Sequence, residues 1–524
     1  MSDNRDKLDK IRGSLFGGAV GDALGYAVEF MPVNKIYERY GEKGITEYEI
    51  DKATGKALIS DDTQMTLFTA NGILVGETRL CMRGIGGVPS TYVPQSYQDW
   101  LKTQELSYDT VQDTRKADFR EDCSWLLDVP ELYSRRAPGN TCLSALKIAK
   151  IKGNDGDYLK RPRNNSKGCG GIMRVAPLGI HYDRVPIESL DEEGAILSAI
   201  THGHPLGYLP SAVLTHILNR IVYPKEQLTL KEIVLEAKET VCRLFQNTSN
   251  LDELCEFIDR AICLAENEDT DQDNIPKLGE GWVAEETLAI AIYCALRYEH
   301  DFSGGIIAAV NHNGDSDSTG AVTGNILGAI NGYDTIEEKW KANLELKDVI
   351  LEMADDLCYG CRMAEFGSYR DPDWERKYID MRWKEPVFLE KYLTAHERSY
   401  KRALQEIKNG HKRTHWMWYI FPQIQGLGFS EISKQYALNS VDEAKQYMAD
   451  ETLRSHMLEI CQALLELNTN NATEVLGTPD DMKLRSSMTL FSISNPEYAI
   501  FGQVLDKFFN GEEDKRTRRI ISAI

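Results

Sequence analysis

Apolar residues recur at three- and four-residue steps through most of the chain. Examples are "DDTQMTLFTANGIL" (61–74), "EEGAILSAITHGHPLGYLPSAVLTHILNRIV" (192–222) and "VAEETLAIAIYCALRY" (283–298). This spacing places them on one face of an α-helix. Alternating patterns are scarce, and "GITEYEI" (44–50) is one short strand candidate. The pattern predicts an all-α protein without repeats at solenoid periods. It changes character at "FGSYRDPDWERKYIDMRWKEPVFLEKY" (366–392), where charge, tryptophan and two prolines replace Gly/Ala packing. The expected organisation is a domain over 1–370, a linker over 371–389 and a smaller helical domain over 390–524.

Composition narrows the classes. A chain of 524 residues, 42% hydrophobic and 9% aromatic, is globular and exceeds one ordinary core. A formal net charge of -21 excludes a nucleic-acid-binding surface over the whole molecule, though not a local basic patch. It also leaves carboxylates for hard cations. Eleven cysteines without paired spacings form no disulfide framework, which predicts a cytoplasmic location. The close pair Cys358 and Cys361 reads as two small core residues, with a redox or half-zinc motif as the alternative. No window reaches the ~18 apolar residues of a span, so no membrane role is expected.

Three acidic elements carry candidate chemistry. "GGAVGDALGYAVEF" (17–30) places Asp22 and Glu29 two helical turns apart on one face. "ISDDTQM" (59–65) supplies Ser60, Asp61, Asp62 and Thr63, although a Ser or Asp here also fits a plain helix N-cap. "NGDSDSTG" (313–320 region) supplies Asp315, Asp317, Ser318 and Thr319. About six oxygen ligands without a His/Cys cluster suit Mg²⁺ rather than zinc, and two separated clusters suit two ions. The glycines of "NNSKGCGGIMRVAPLGI" (164–180) free backbone N–H groups for an anion such as phosphate, without the Lys-Ser/Thr of a Walker loop. His202 and His204 lack a third zinc ligand.

The order of "GDALG…E", "SDDTQM", "APGNT" (137–141), "GCGGIMRVAP" (168–177), "THGHPLGY" (201–208), "GWVAEETLAIAIYCAL" (281–296) and "NGDSDSTGAVTGNILGAING" resembles the ADP-ribosylglycohydrolases over most of residues 8–365. The resemblance implies an orthogonal helical bundle with two Mg²⁺ ions, or Mn²⁺ in their place, that removes ADP-ribose from a modified protein or nucleic acid. It implies Ser60, Asp61, Asp62, Asp315, Asp317 and Ser318 as metal ligands. Glu29, Asp62 and Asp315 are the implied catalytic carboxylates, with the general base left open. Asn165, Ser166, Lys167, Gly168, Gly170, Gly171, His202, Trp282 and Val283 are the implied substrate contacts. Ser60 and Ser318 stand where many members have Thr, and Cys169 where Asn is frequent. Another dinuclear-Mg phosphohydrolase, or a non-catalytic ADP-ribose-binding or toxin-neutralising protein, are the alternatives.

Residues 390–524, with "HWMWYIFPQ" (415–423) and "LRSSMTLF" (484–491), resemble a small helical bacterial domain of unknown function. Trp416, Trp418, Tyr419 and Phe421 read as core and groove. Lys412, Arg413, His415, Lys483, Arg485 and Ser486 read as a surface for a phosphate-bearing ligand, with a structural or oligomerisation role as the alternative.

Overall fold

The computed structural model describes residues 2–117, 122–152, 156–383, 389–428 and 430–523. It is helical throughout, and its only β pairings among these residues are three isolated bridges. The helices that matter to the site are α1 (Ser2–Tyr26), α2 (Asp61–Arg83), α3 (Asn140–Lys152), α4 (Pro205–Val222), α5 (Ala284–Arg297) and α6 (Ser316–Asn331). The expected strand at 44–50 does not form. Ile45 instead donates its N–H to Asn311 Oδ1 and accepts at its C=O from Asn311 Nδ2, so these groups make no sheet pairing. No described helix is long and apolar enough to cross a membrane.

The chain divides into two compact units, Met1–Trp383 and Lys384–Ile524. The first extends past the expected limit at 370. Trp374 and Tyr378 of α7 (Pro372–Tyr378) are buried, and the Trp374 indole donates to Thr78 Oγ1 at 2.9 Å. The Trp383 N–H bonds Asp128 at 3.2 Å, so residues 371–383 belong to the first core rather than to a linker.

Antiparallel α1 and α6 form the axis of this unit. Gly13, Gly17, Gly21 and Gly25 face Gly328, Gly324, Gly320 and the Ser316 backbone at four-residue steps. A Cβ on Gly21 would lie 1.9 Å from the Gly320 carbonyl, and one on Gly324 would lie 2.0 Å from that of Gly17. Only glycine permits backbones this close. The contact brings the C-terminal end of α1, with Asp22, against the N-terminus of α6, with Asp315 and Asp317.

The second unit has its own core, in which Trp416, Met417, Ile420 and Phe421 are buried among Tyr447, Leu453 and Phe491. Three of its expected ligand-surface cations are paired with carboxylates, while Arg413 and His415 are exposed. Lys412 and Lys483 converge on Asp480 at 2.6 and 2.7 Å, and Arg485 pairs with Glu512 at 2.8 Å. The Ser486 hydroxyl bonds Met482 O and Asp514. Glu406 organises the "KRTHW" turn, accepting from the Arg413 and Thr414 N–H groups, the Thr414 hydroxyl and the Trp416 indole at 2.7–3.1 Å. Burial opposes ionisation, but these donors outweigh it and hold the carboxyl at about 2, below its ordinary 4.5. A depressed value adds stability that is complete above the ordinary pKa and lost as pH falls through about 2. Glu406→Gln is therefore expected to destabilise this unit by about 2 kcal/mol at neutral pH. In thermal melts the gap between variant and wild type should close toward acid; a gap independent of pH would refute the assignment.

Candidate active site

The acidic end of the site is built from three helix termini. Asp22 of α1 is fully buried and accepts from the Ser60 and Thr63 N–H groups at 3.0 and 3.1 Å, and from the Thr63 hydroxyl. It thereby fastens the start of α2. Ser60 is the N-cap of α2, its Oγ accepting the Asp62 N–H at 3.1 Å. Asp61 and Asp62 follow in the first turn, where the helix dipole favours carboxylates. Asp315 caps α6 and Asp317 lies in its first turn, accepting the Ser318 N–H at 2.9 Å. The Asp315 N–H is tied to the Glu280 carbonyl at 2.8 Å. Gly314 sits at φ 112° against that same carbonyl, which a Cβ would meet at 2.0 Å.

Glu29, Asp315 and Asp317 each direct one carboxylate oxygen into a group whose members lie within 4.8 Å of one another, and all three are buried. Asp61 and Asp62 line the same cleft. Glu29 Oε2 and Asp62 Oδ2 are buried without a hydrogen-bond partner. Arg136, whose charge reaches Asp22, is engaged by Glu345, and the Lys167 ammonium by Glu285. Burial, then repulsion from Asp317 and its neighbours, pushes Glu29 up to about 9 and Asp22 up to about 7. Asp61, Asp62 and Asp315 rise for the same reasons. Such a cluster is costly unless a cation neutralises it. Orphaned oxygens, hard donors and the lack of a counterion among the described residues all fit a divalent metal.

The opposite end holds the N-terminus of α3, whose first-turn N–H groups have no partner within the helix. The first turn of α3 and the preceding loop (137–142) line the cleft, as do Gly168, Cys169, Gly170 and His202. A two-way backbone pairing fixes this loop: Cys169 N–H bonds Trp282 O at 3.3 Å and Ala284 N–H bonds Lys167 O at 2.9 Å. Since Glu280 also holds Asp315, one short strap (280–284) positions both ends of the cleft. Asn164 holds the loop from behind, accepting from Ser166 and Gly203 and donating to Thr201 O. The cavity measures about 310 Å³. At its rim Phe30 (72% exposed) stacks on Trp282 (40% exposed), ring centroids 6.0 Å apart. The Cys169 thiol donates to Asp315 Oδ2 at 2.7 Å, joining the two ends.

Of the expected site residues, Glu29, Asp61, Asp62, Gly168, Gly170, His202, Trp282, Asp315, Asp317 and Ser318 line this cleft. Six do not. Ser60 is spent as a helix cap, and the Lys167 ammonium turns to Glu285. Asn165 is exposed, Ser166 bonds Thr141, Gly171 packs on Ser198 and Val283 caps α5. Glu29, expected as a catalytic carboxylate rather than a ligand, completes the oxygen triad. His204 caps α4 through Nδ1. Phe30, Met173 and the 137–142 loop were not among the expected contacts. The helix-start pattern Gly-Asn-Thr before "CLSALKIA" was the available signal for the last.

Residues 3–365 match the family model described as ADP-ribosylglycohydrolase. The chain belongs to the ADP-ribosylglycohydrolase family. Residues 386–521 match a second model, a protein family of unknown function (DUF1810). Among ADP-ribosylglycohydrolase relatives, the ADP-ribosyl-[dinitrogen reductase] glycohydrolase of Rhodospirillum rubrum is 22% identical over 65% of this chain and 91% of its own length. The ADP-ribosylarginine hydrolase Tri1 of Serratia proteamaculans is 23% identical over 69% of this chain and 82% of its own. The human ADP-ribosylhydrolase ARH3 is 28% identical over 34% of this chain and 54% of its own. This is a family of hydrolases, and the cleft described above is where this chain gathers its buried carboxylates.

Proposed function

We propose that the first unit hydrolyses the glycosidic bond between ADP-ribose and a modified protein side chain, using two Mg²⁺ ions, with Mn²⁺ as the substitute. The observation that carries this reading is the polarity of the cleft: buried carboxylates without a counterion among the described residues at one end, the N-terminus of α3 at the other. Asp61, Asp62, Asp315 and Asp317 would hold the ions, with Glu29 and Ser318 beside them and Ser60 supporting α2. When bound, Mg²⁺ supplies Lewis acidity that orients ribose hydroxyls and acidifies water. The donor end would receive the diphosphate, with the Trp282–Phe30 pair walling the opening. Glu29, Asp62 and Asp315 are the groups within reach of the proton transfers. Glu29 has the strongest claim, because its free Oε2 adjoins the rim residue Phe30. Arginine is the first acceptor to test, given relatives named for ADP-ribosylarginine and dinitrogen reductase.

The deciding experiment measures release of intact ADP-ribose from Arg-, Ser- and nucleic-acid-linked substrates, with and without Mg²⁺. Metal-dependent release from at least one, absent in Asp61→Ala and Asp315→Ala, is the expected result. Release of inorganic phosphate instead would favour a phosphohydrolase, and binding without turnover would favour a reader.

A further inference from the structure

Arg174 is buried to 1% exposure, yet its guanidinium contacts no carboxylate among the described residues. Its Nη1 faces the sulfurs of Met65 and Cys142 at 3.4 and 3.5 Å, and its plane lies over the Tyr97 ring at 4.4 Å. The one short polar contact is from Nη2 to Thr201 Oγ1, at 2.6 Å. A buried cation held this way is costly, and core packing alone does not require it.

Thr201 leads to the cleft. Its hydroxyl lies 2.8 Å from His202 Nδ1. The His202 ring is 2% exposed, lines the cleft, and its Nε2 makes no hydrogen bond to a described residue. Gly168 and Gly170 leave that edge open, since a Cβ on either would come within 3.4 and 3.2 Å of Nε2. A guanidinium only donates, so Thr201 Oγ1 accepts from Arg174, which leaves its own proton available for the His202 Nδ1 that it faces at 2.8 Å. An imidazole that accepts at Nδ1 carries its proton on Nε2. Burial, then the nearby Arg174 charge, holds the ring down to about 3, which keeps it neutral at ordinary pH.

We propose that Arg174, acting through Thr201, is a positioning residue that locks His202 as a neutral Nε2–H donor to an anionic phosphoryl oxygen of the substrate. The proposal rests on the ADP-ribosyl reading above. A phosphoryl oxygen fits because the neighbouring first turn of α3 is a helix N-terminus, over a buried positive charge that no described carboxylate pairs. A fixed neutral donor accepts such an oxygen and rejects a donor group at the same place.

The test uses the full chain with Mg²⁺ and ADP-ribose as the probe. Long-range ¹H–¹⁵N spectra of histidine-labelled protein report the tautomer directly, and calorimetry gives affinity. Wild type is expected to show Nδ1 unprotonated and Nε2 protonated from about pH 6 to 8. Thr201→Val, nearly equal in volume, should mix the tautomers and weaken ADP-ribose about tenfold. Turnover should show a raised KM with kcat little changed, and Thr201→Ser should rescue both readouts. An Nδ1–H tautomer in wild type, or unaltered ADP-ribose affinity in folded Thr201→Val, would overturn the proposal. If wild type fails to bind ADP-ribose at all, the reading of the cleft fails with the donor role, while the spectra still decide whether the Arg174–Thr201 lock exists.

Discussion

Asp315→Asn and Asp317→Asn are each expected to lower kcat by about 10³-fold or more while raising the Tm of the protein held in chelator. The two effects have opposite signs because the same charges serve opposite ends. Each carboxylate is buried beside others without a counterion among the described residues, so in the metal-free state it repels its neighbours. The amide keeps the shape and the N-cap acceptor of Asp315, and removes only the charge. A matching pH dependence follows. Glu29 and Asp22, raised to about 9 and about 7, keep protons in the folded state that the unfolded chain has released. Stability of the metal-free protein should therefore fall as pH rises from about 4 toward 9. Saturating Mg²⁺ should flatten that slope and raise Tm, since a bound cation favours the ionised forms. Both variants should lose most of the Mg²⁺-induced shift. Thermal melts in chelator and in Mg²⁺, at several pH values, check each sign. Variants that are less stable than wild type in chelator would mean that these carboxylates are structural, and the metal assignment would fall.

How much of this was legible beforehand depended on whether a residue's role is local or remote. Helical periodicity declared the fold class, and paired aspartates at helix starts declared the acidic end, because N-cap chemistry and hard-ligand chemistry use the same residue types. That same overlap hid the division of labour. Ser60 and Asp315 are both caps, yet only Asp315 lines the cleft. Lys167 looked like a phosphate contact from sequence, and only folding shows Glu285 taking its charge. The Gly-rich loop was legible as an anion cradle, but its width was not. Gly171 serves packing against Ser198, while Gly168 and Gly170 make room for His202. In the second unit, part of the basic cluster is paired for a similar reason. Asp480, distant from Lys412 in sequence, neutralises it across a turn that composition does not show. Residues 371–383 misled through their charge and prolines, although Trp374 was enough apolar surface to pull the segment onto the first core.

Gly324→Ala carries the largest expected cost to stability, about 3 kcal/mol or more, although it adds one methyl group. That methyl would meet the Gly17 carbonyl oxygen at 2.0 Å and its carbon at 2.5 Å. Both belong to backbone within α1, so no side chain can rotate away, and α1 and α6 must part along their shared length. Parting them also moves Asp22 relative to Asp315 and Asp317, so activity should fall by more than the folded fraction alone explains. Gly502→Ala is the contrasting case. It lies in the helix Ile500–Phe509 of the second unit, where an added Cβ meets nothing within 4 Å. There the usual preference of helices for alanine should stabilise by about 0.5–1 kcal/mol. Urea titrations of the two variants should thus move in opposite directions. A Gly324→Ala protein as stable as wild type would show that the helices are not held at backbone contact, and with that the placement of the carboxylate cluster by glycine would fail.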